Sequence, residues 1–447
     1  MLFLADAELP AARPDLSAAL DTRYSVLAGL PAPGMDERVA AAPEGLGFSL
    51  WRPALAQRDA VLEGLAAFQE HPGGALTITP LSDIGVGVKA ALSPDAPCAV
   101  GLRLSARAAA DLADPAAHGD LKALIARGDF RAITVNGFPF GPFHGVAVKA
   151  AVYEPDWRDP ARLAYTCALA DLMADIGPAG EMLSLSTVPG GFKPRCAGAE
   201  AGIAEALLRA AAHCVALRQR TGAEVALAIE PEPCCLLETI AESAAFFDRW
   251  LFSDAAARRL AALSGLATGE AAAALPRHLG LCYDVCHAAV EFEDPADSIA
   301  ALRAAGVPVH KLQLSAALRL PRVDAASRAA LAAFDEPTYL HQVVSRRDGR
   351  LTRLHDLPLA LARGAAADGE EWRVHFHVPL FVADAGAFAT TQDFLAEILA
   401  LHAQAPIAPH LEVETYTWDV LPPHLRAGAV EDAVAREMAW VLERLAP

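Results

Sequence analysis

Between residues 99 and 418 short apolar runs alternate with longer helical patterns, and this alternation narrows the fold more than any other feature. Eight runs can be read: AVGLRLS (99–105), AITVNGF (132–138), MLSLSTVPG (182–190), EVALAIEPEP (224–233), LGLCYDVCH (279–287), VHKLQLS (309–315), WRVHFHVPLF (372–381) and PHLEVETYTW (409–418). Runs this rich in Val, Ile and Leu read as strands buried on both faces. Strands separated by helices imply crossover connections and a parallel sheet, and eight of them imply an α/β protein with a (β/α)8 TIM barrel. GFSLWRP (47–53) is a ninth candidate, so one of the nine must lie outside the barrel.

The intervening segments carry helix signals. Asp159-Pro160 and Asp294-Pro295 each set a capping aspartate before a proline suited to the first helical position. Val430, Val434, Met438, Val441, Leu442 and Leu445 form one stripe of a final helix. The sequence divides into an N-terminal extension, 1–95, able to contribute a first strand, and a barrel over 96–447 with an insertion around 316–371. That insertion reads as a hairpin turning at Asp348-Gly349. Within the extension, RDAVLEGLAAFQEH (58–71) is helical in pattern.

A chain of 447 residues, 54% hydrophobic, can bury a large core. Its net charge of -18 opposes binding to nucleic acid, which needs clustered Lys and Arg. The eight cysteines form no CxxC pair, so reduced thiols are expected rather than a zinc ribbon or disulfide framework. MLFLADAELP lacks a basic leader, and no apolar stretch reaches the roughly 20 residues of a membrane span. A cytoplasmic protein with no membrane insertion is the expectation, with a homo-oligomer left open.

Active sites of such barrels form at the C-terminal ends of the strands. Here those ends carry Asn136, Glu230 with Glu232, Asp284 with His287, Gln313, His375 with His377, and Glu412 with Glu414. A single His or Glu there is ordinarily a hydrogen-bonded structural residue. Carboxylates gathered inside apolar strands must instead be paired or metal-bound, and Lys311 and Arg373 are the main basic residues nearby. A mixed set of carboxylates and imidazoles suits one to three divalent ions of Mn, Zn, Fe or Co. His375 with His377, and Glu412 with Glu414, share a face at i, i+2 spacing. Two loops, NGFPFGPFHG (136–145) and STVPGGFKPR (186–195), add Asn136, His144, Lys193 and Arg195 near the mouth. Asn136, His144, Lys193 and Glu232 are the candidates for touching substrate.

In this order the residues resemble the xylose-isomerase-like TIM-barrel superfamily, which includes sugar isomerases, epimerases and endonuclease IV-type enzymes. The resemblance implies metal ligands at Glu230, Asp284 and Glu414, with His287 at the site. Gln313 stands where that superfamily usually has a histidine. His375 and His377 occupy the place of an Asp-x-His pair in the endonuclease branch, which implies more than one metal. The phrases NGFPFGPFHG, STVPGGFKP, EPEPCCLLET, CYDVCHAAVEFEDP, KLQLSAALRLP and HLEVETYTWDVLP are similar to those of EboE-type metabolite traffic proteins, from which residues 1–95 depart.

The leading expectation is a metal-dependent isomerase or epimerase for a small polyhydroxylated or carbonyl metabolite. Glu230 and Glu414 would move the proton and His287 would orient a substrate oxygen. A multinuclear hydrolase or oxidase and a non-catalytic metabolite carrier are the rival readings.

Overall fold

The computed structural model describes residues 75–78, 98–127, 130–141, 143, 147–423, 425–426 and 430–445. Seven strands in succession run parallel: β1 (Ala75–Ile78), β2 (Cys98–Arg103), β3 (Phe130–Asn136), β4 (Met182–Thr187), β5 (Glu224–Ile229), β6 (Leu279–Asp284) and β7 (Val309–Leu314). The chain then leaves the barrel for β8 (Leu318–Leu320), β9 (Val343–Arg347), β10 (Arg350–Leu354), β11 (Glu371–Val374) and β12 (Ala389–Thr390). It returns as β13 (His410–Val413), which pairs in parallel with both β7 and β1 and closes the barrel.

Two expectations about the strands need correction. The run 372–381 is not a barrel strand. Its first part, β11, lies in an antiparallel sheet ordered β10-β9-β11-β8-β12, built mainly from the insertion. The physical reason is an alternation of character: apolar Trp372, Val374, Phe376 and Val378 alternate with polar Arg373, His375 and His377. Such alternation belongs to a sheet with two unlike faces. The remaining barrel strand is β1, ALTI, which was not among the nine candidates; GFSLWRP and the 58–71 helix pattern lie outside the described residues.

The local signals elsewhere hold. Asp159 caps the helix Pro160–Ile176 by accepting from the Ala161 amide, and Asp294 caps Pro295–Ala304 by accepting from Asp297. In the final helix Val434, Met438, Val441, Leu442 and Leu445 are buried against the barrel. Strands β9 and β10 pair across Asp348 and Gly349, both at positive φ, the backbone a two-residue hairpin turn requires.

The barrel interior is polar in layers. Lys311 on β7 and Glu412 on β13 form a wholly buried ion pair. Gly101 on β2 is small because Glu412 fills its space: a Cβ there would collide with Glu412 Oε1. Toward the N-terminal end, the Ser184 hydroxyl lies 2.7 Å from Thr134 Oγ1 and 2.8 Å from His410 Nδ1. Burial pushes His410 down to about 3, helped by the like charge of Lys311, and burial pushes the nearby His310 down to about 4.

Both histidines are therefore neutral in the fold but protonate near 6.5 when unfolded, so the unfolded chain binds more protons below that pH. Their contribution is complete above pH 6.5 and falls toward pH 4, by about 1.4 kcal/mol per pH unit for each histidine. Burial also raises Glu437 to about 7, which acts with the opposite sign. The melting temperature should drop more steeply from pH 6.5 to 4.5 in the wild type than in His410→Asn or His310→Gln. Equal slopes in all three would refute this assignment.

Candidate metal centre

Three barrel strands lead into the candidate ligands. Glu230 follows β5, with its amide bonded to Thr187 O at 3.1 Å, and Glu414 follows β13, with its amide on Leu314 O at 3.0 Å. Asp284 ends β6 and caps the short helix Val285–Val290, which carries His287. His375 and His377 reach the same place from the segment after β11. All six side chains are buried.

The hydrogen bonds determine which atoms face the centre. Asp284 Oδ1 accepts from the His287 amide at 3.0 Å and from the Ser315 hydroxyl at 2.7 Å. Its Oδ2 has no hydrogen-bond partner and lies 3.8 Å from His287 Nε2 and 3.9 Å from His377 Nε2. His287 Nδ1 lies 2.9 Å from Pro231 O, and His377 Nδ1 lies 3.0 Å from Glu414 O. A carbonyl only accepts, so both Nδ1 atoms carry the proton and both Nε2 atoms are bare. His375 Nδ1 faces the Gln342 amide oxygen at 2.7 Å, which leaves its Nε2 unprotonated as well. His287 Nε2 and His375 Nε2 then stand 3.1 Å apart with no proton between them. Two such nitrogens repel unless a cation or an added proton lies between them.

Protonation is disfavoured for two of these imidazoles. Burial pushes His375 well below its ordinary range and His377 down to about 4. Among the carboxylates, burial and the neighbouring Glu414 and Asp284 raise Glu230 well above the usual range. Burial, with Asp284 and Glu412, pushes Glu414 up to about 8. Glu230 Oε2 has no hydrogen-bond partner.

A cation answers each of these imbalances. Donor atoms of Glu230, Asp284 and Glu414 lie within 4.8 Å of one another, as do those of Asp284, His287 and His377 and those of Glu232, His287 and His375. The first group is all oxygen and suits a hard ion; the other two mix imidazole with carboxylate. Asp284 belongs to two groups and His287 to two, so the centre can bridge more than one ion. Cys286 also falls within that distance of His375 and His377. The residues present fit a divalent metal.

Of the remaining sequence candidates, Glu232 accepts from Tyr153 at 2.6 Å and from Gln342 at 2.8 Å beside His375. Asn136 donates to Glu414 Oε1 at 3.4 Å. Gln313 is fully buried, turns its oxygen toward Cys282 Sγ at 4.0 Å, and favours the ionised form of Glu414 through its amide. Its amide nitrogen has no hydrogen-bond partner. Lys193 is absent from the cavity lining; it pairs with Glu238 at 2.8 Å and Glu242 at 2.9 Å. His144 lies outside the described residues.

Above the ligands is a cavity of about 60 Å³, lined in part by Arg103, Phe143, Tyr153, Tyr339 and Tyr416. The Tyr416 hydroxyl is 3.4 Å from His375 Nε2, and its ring centroid is 4.5 Å from that of His377. Sequence reasoning missed Arg103, Tyr153, Ser315, Gln342 and Tyr416. Only Arg103 left a readable signal, as a basic residue within an apolar strand.

No family model matches the chain, and no curated protein matches it. Among solved structures, a xylose isomerase-like TIM barrel protein from Mycobacterium smegmatis in complex with magnesium aligns at 11% identity, covering 84% of this chain and 97% of that one, with a TM-score of 0.43. The IolI protein with a bound zinc atom aligns at 11% identity over 83% and 98%, with a TM-score of 0.41. The probable 3-DHS dehydratase AsbF from Bacillus anthracis aligns at 11% over 82% and 97%, with a TM-score of 0.37. Among the described residues no helix is long and apolar enough to cross a membrane.

If the centre binds a cation only when folded, Zn²⁺, Co²⁺ or Mn²⁺ must stabilise the protein, by about 2.7 kcal/mol at one hundred times the dissociation constant. Asp284→Asn keeps an oxygen to cap the helix but replaces the bare Oδ2 oxygen. It should retain the metal-free melting temperature within a few degrees and lose most of the metal-induced rise. A wild-type protein indifferent to all three ions would contradict the assignment.

Proposed function

We propose that this chain is a metal-dependent enzyme of the isomerase or epimerase type, acting on a small polyhydroxylated or carbonyl metabolite in an EboE-type metabolite traffic setting. The observation that carries the reading is the buried trio of Glu230, Asp284 and Glu414, two of which, Glu230 and Glu414, line a cavity. The EboE-type setting rests on the sequence phrases alone.

Glu230, Asp284 and Glu414 would hold a divalent ion, which would supply Lewis-acid polarisation of a carbonyl and a neighbouring hydroxyl. The protein's own groups account for the proton. Glu230 and Glu414 both line the cavity, where a carboxylate is placed to take up a proton at one carbon and return it at the next. His287 also lines the cavity, and its Nδ1–H is committed to Pro231 O, so its Nε2 edge is the one left to orient a substrate oxygen. Phe143, Tyr339 and Tyr416 cluster with ring centroids about 5 Å apart, restricting water at the mouth.

A multinuclear hydrolase or oxidase is the second reading, favoured by the imidazole groups that overlap the carboxylate trio. A carrier that binds the metabolite without turnover is the outcome if no reaction is found.

Metal-loaded protein incubated in D₂O with a panel of aldoses, ketoses and cyclic keto-polyols provides the test. Deuterium should enter at the carbon beside the carbonyl, read by NMR. Glu230→Gln and Glu414→Gln should each slow this exchange by about 10²-fold or more. Unchanged exchange in both variants would sink the proton-transfer mechanism; hydrolysis without exchange would favour the second reading.

A further inference from the structure

Gln342 belongs to the insertion, not to the barrel, yet it reaches two of the candidate ligands. The pairing of Val343 with Val374 across β9 and β11 sets Gln342 opposite His375, and the His375 amide donates to Gln342 O at 2.8 Å. Opposite residues in an antiparallel pair point to the same face, so their side chains meet. The Gln342 side chain is fully buried there.

Its amide can adopt only one orientation. The Nε2 group faces Glu232 Oε1 at 2.8 Å, Pro233 O at 3.1 Å and the Tyr153 oxygen at 2.7 Å. Tyr153 gives its own proton to Glu232 Oε1, at 2.6 Å, so all three partners accept. Turning the amide over would set its oxygen against a carboxylate and a carbonyl with no proton between them. Oε1 must therefore face His375 Nδ1, at 2.7 Å, and that nitrogen must be the protonated one.

We propose that Gln342 is a positioning residue: it locks His375 in the Nδ1–H tautomer, holds Glu232 beside it, and so makes the inserted sheet part of the metal centre. The inference rests on the metal reading of the site but assigns a role to an element outside the barrel. Without the Gln342 oxygen the acceptor left to His375 Nδ1 is Glu232 Oε1, at 3.4 Å, a weaker hold that lets the proton move to Nε2, the atom facing His287. Without the amide N–H₂, Glu232 loses one of its two side-chain donors. A ligand-orienting partner of this kind is typically worth 10- to 100-fold in metal affinity.

The test uses the full-length protein with ¹⁵N-labelled histidine, and Gln342→Met beside Gln342→Glu. Long-range ¹H–¹⁵N correlation spectra of metal-free protein report the His375 tautomer, and the visible absorption of Co²⁺ reports binding. The wild type should show His375 protonated at Nδ1. Gln342→Met should show mixed tautomers and bind Co²⁺ about tenfold or more weakly. Gln342→Glu keeps an accepting oxygen, so it should hold the Nδ1–H tautomer and bind Co²⁺ better than the Met variant. An unaltered tautomer and an affinity within about threefold of wild type in Gln342→Met would overturn the proposal. If Gln342→Met does not fold, mixed tautomers in Gln342→Glu would overturn it instead. Wild-type protein that ignores Co²⁺ yet shows the locked tautomer would reject the metal reading and leave the positioning role standing.

Discussion

Buried carboxylates crowd one end of this barrel so closely that two of them are driven toward their protonated form. Glu230, Asp284 and Glu414 converge with three imidazoles whose Nδ1 protons are already committed, so the centre offers acceptors and almost no donors. Burying an unpaired carboxylate typically costs several kcal/mol, and a second one nearby costs more. The barrel meets the same problem one layer lower with Lys311 against Glu412. Among the described residues no ion pair joins a lysine or arginine to the trio, and a divalent ion would balance it.

The same constraint explains why the supporting groups are arranged as they are. Ser315 and the His287 amide occupy one oxygen of Asp284 and leave the other bare. Pro231 O, Glu414 O and Gln342 Oε1 each take an Nδ1 proton, turning three Nε2 lone pairs inward. Gly101 gives Glu412 its room, and Glu412 in turn fixes Lys311 beneath the trio. The inserted sheet adds His375, His377 and Gln342 to what the barrel strands supply, so the centre is shared between two kinds of sheet.

Much of the barrel was legible because parallel strands covered on both faces leave long apolar runs, as in EVALAI and LGLCYD. The ends of those runs exposed Glu230, Asp284 and Glu414 as charged residues in apolar surroundings. The run 372–381 was misleading because its apolar residues look continuous until Arg373, His375 and His377 are read as the other face of an alternating strand. ALTI escaped notice because four residues carry little pattern, and its place in the barrel is set by pairing with β13 rather than by its own sequence. Gln342 and Ser315 were invisible for a different reason: each matters through a partner distant in sequence, His375 for one and Asp284 for the other. Lys193, by contrast, looked functional in its Gly/Pro loop but is held on Glu238 and Glu242.

The central claim is that the buried carboxylate and imidazole centre exists to hold metal, and its most direct test is the metal content of the protein itself. Untagged protein purified without chelators, then loaded with Mn²⁺, Fe²⁺, Co²⁺ or Zn²⁺ and desalted, can be assayed by elemental mass spectrometry. The account predicts at least one tightly held divalent ion per chain, with a second ion expected if Asp284 bridges the oxygen and imidazole groups. Protein that is well folded yet retains no stoichiometric metal after loading with any of the four would contradict it.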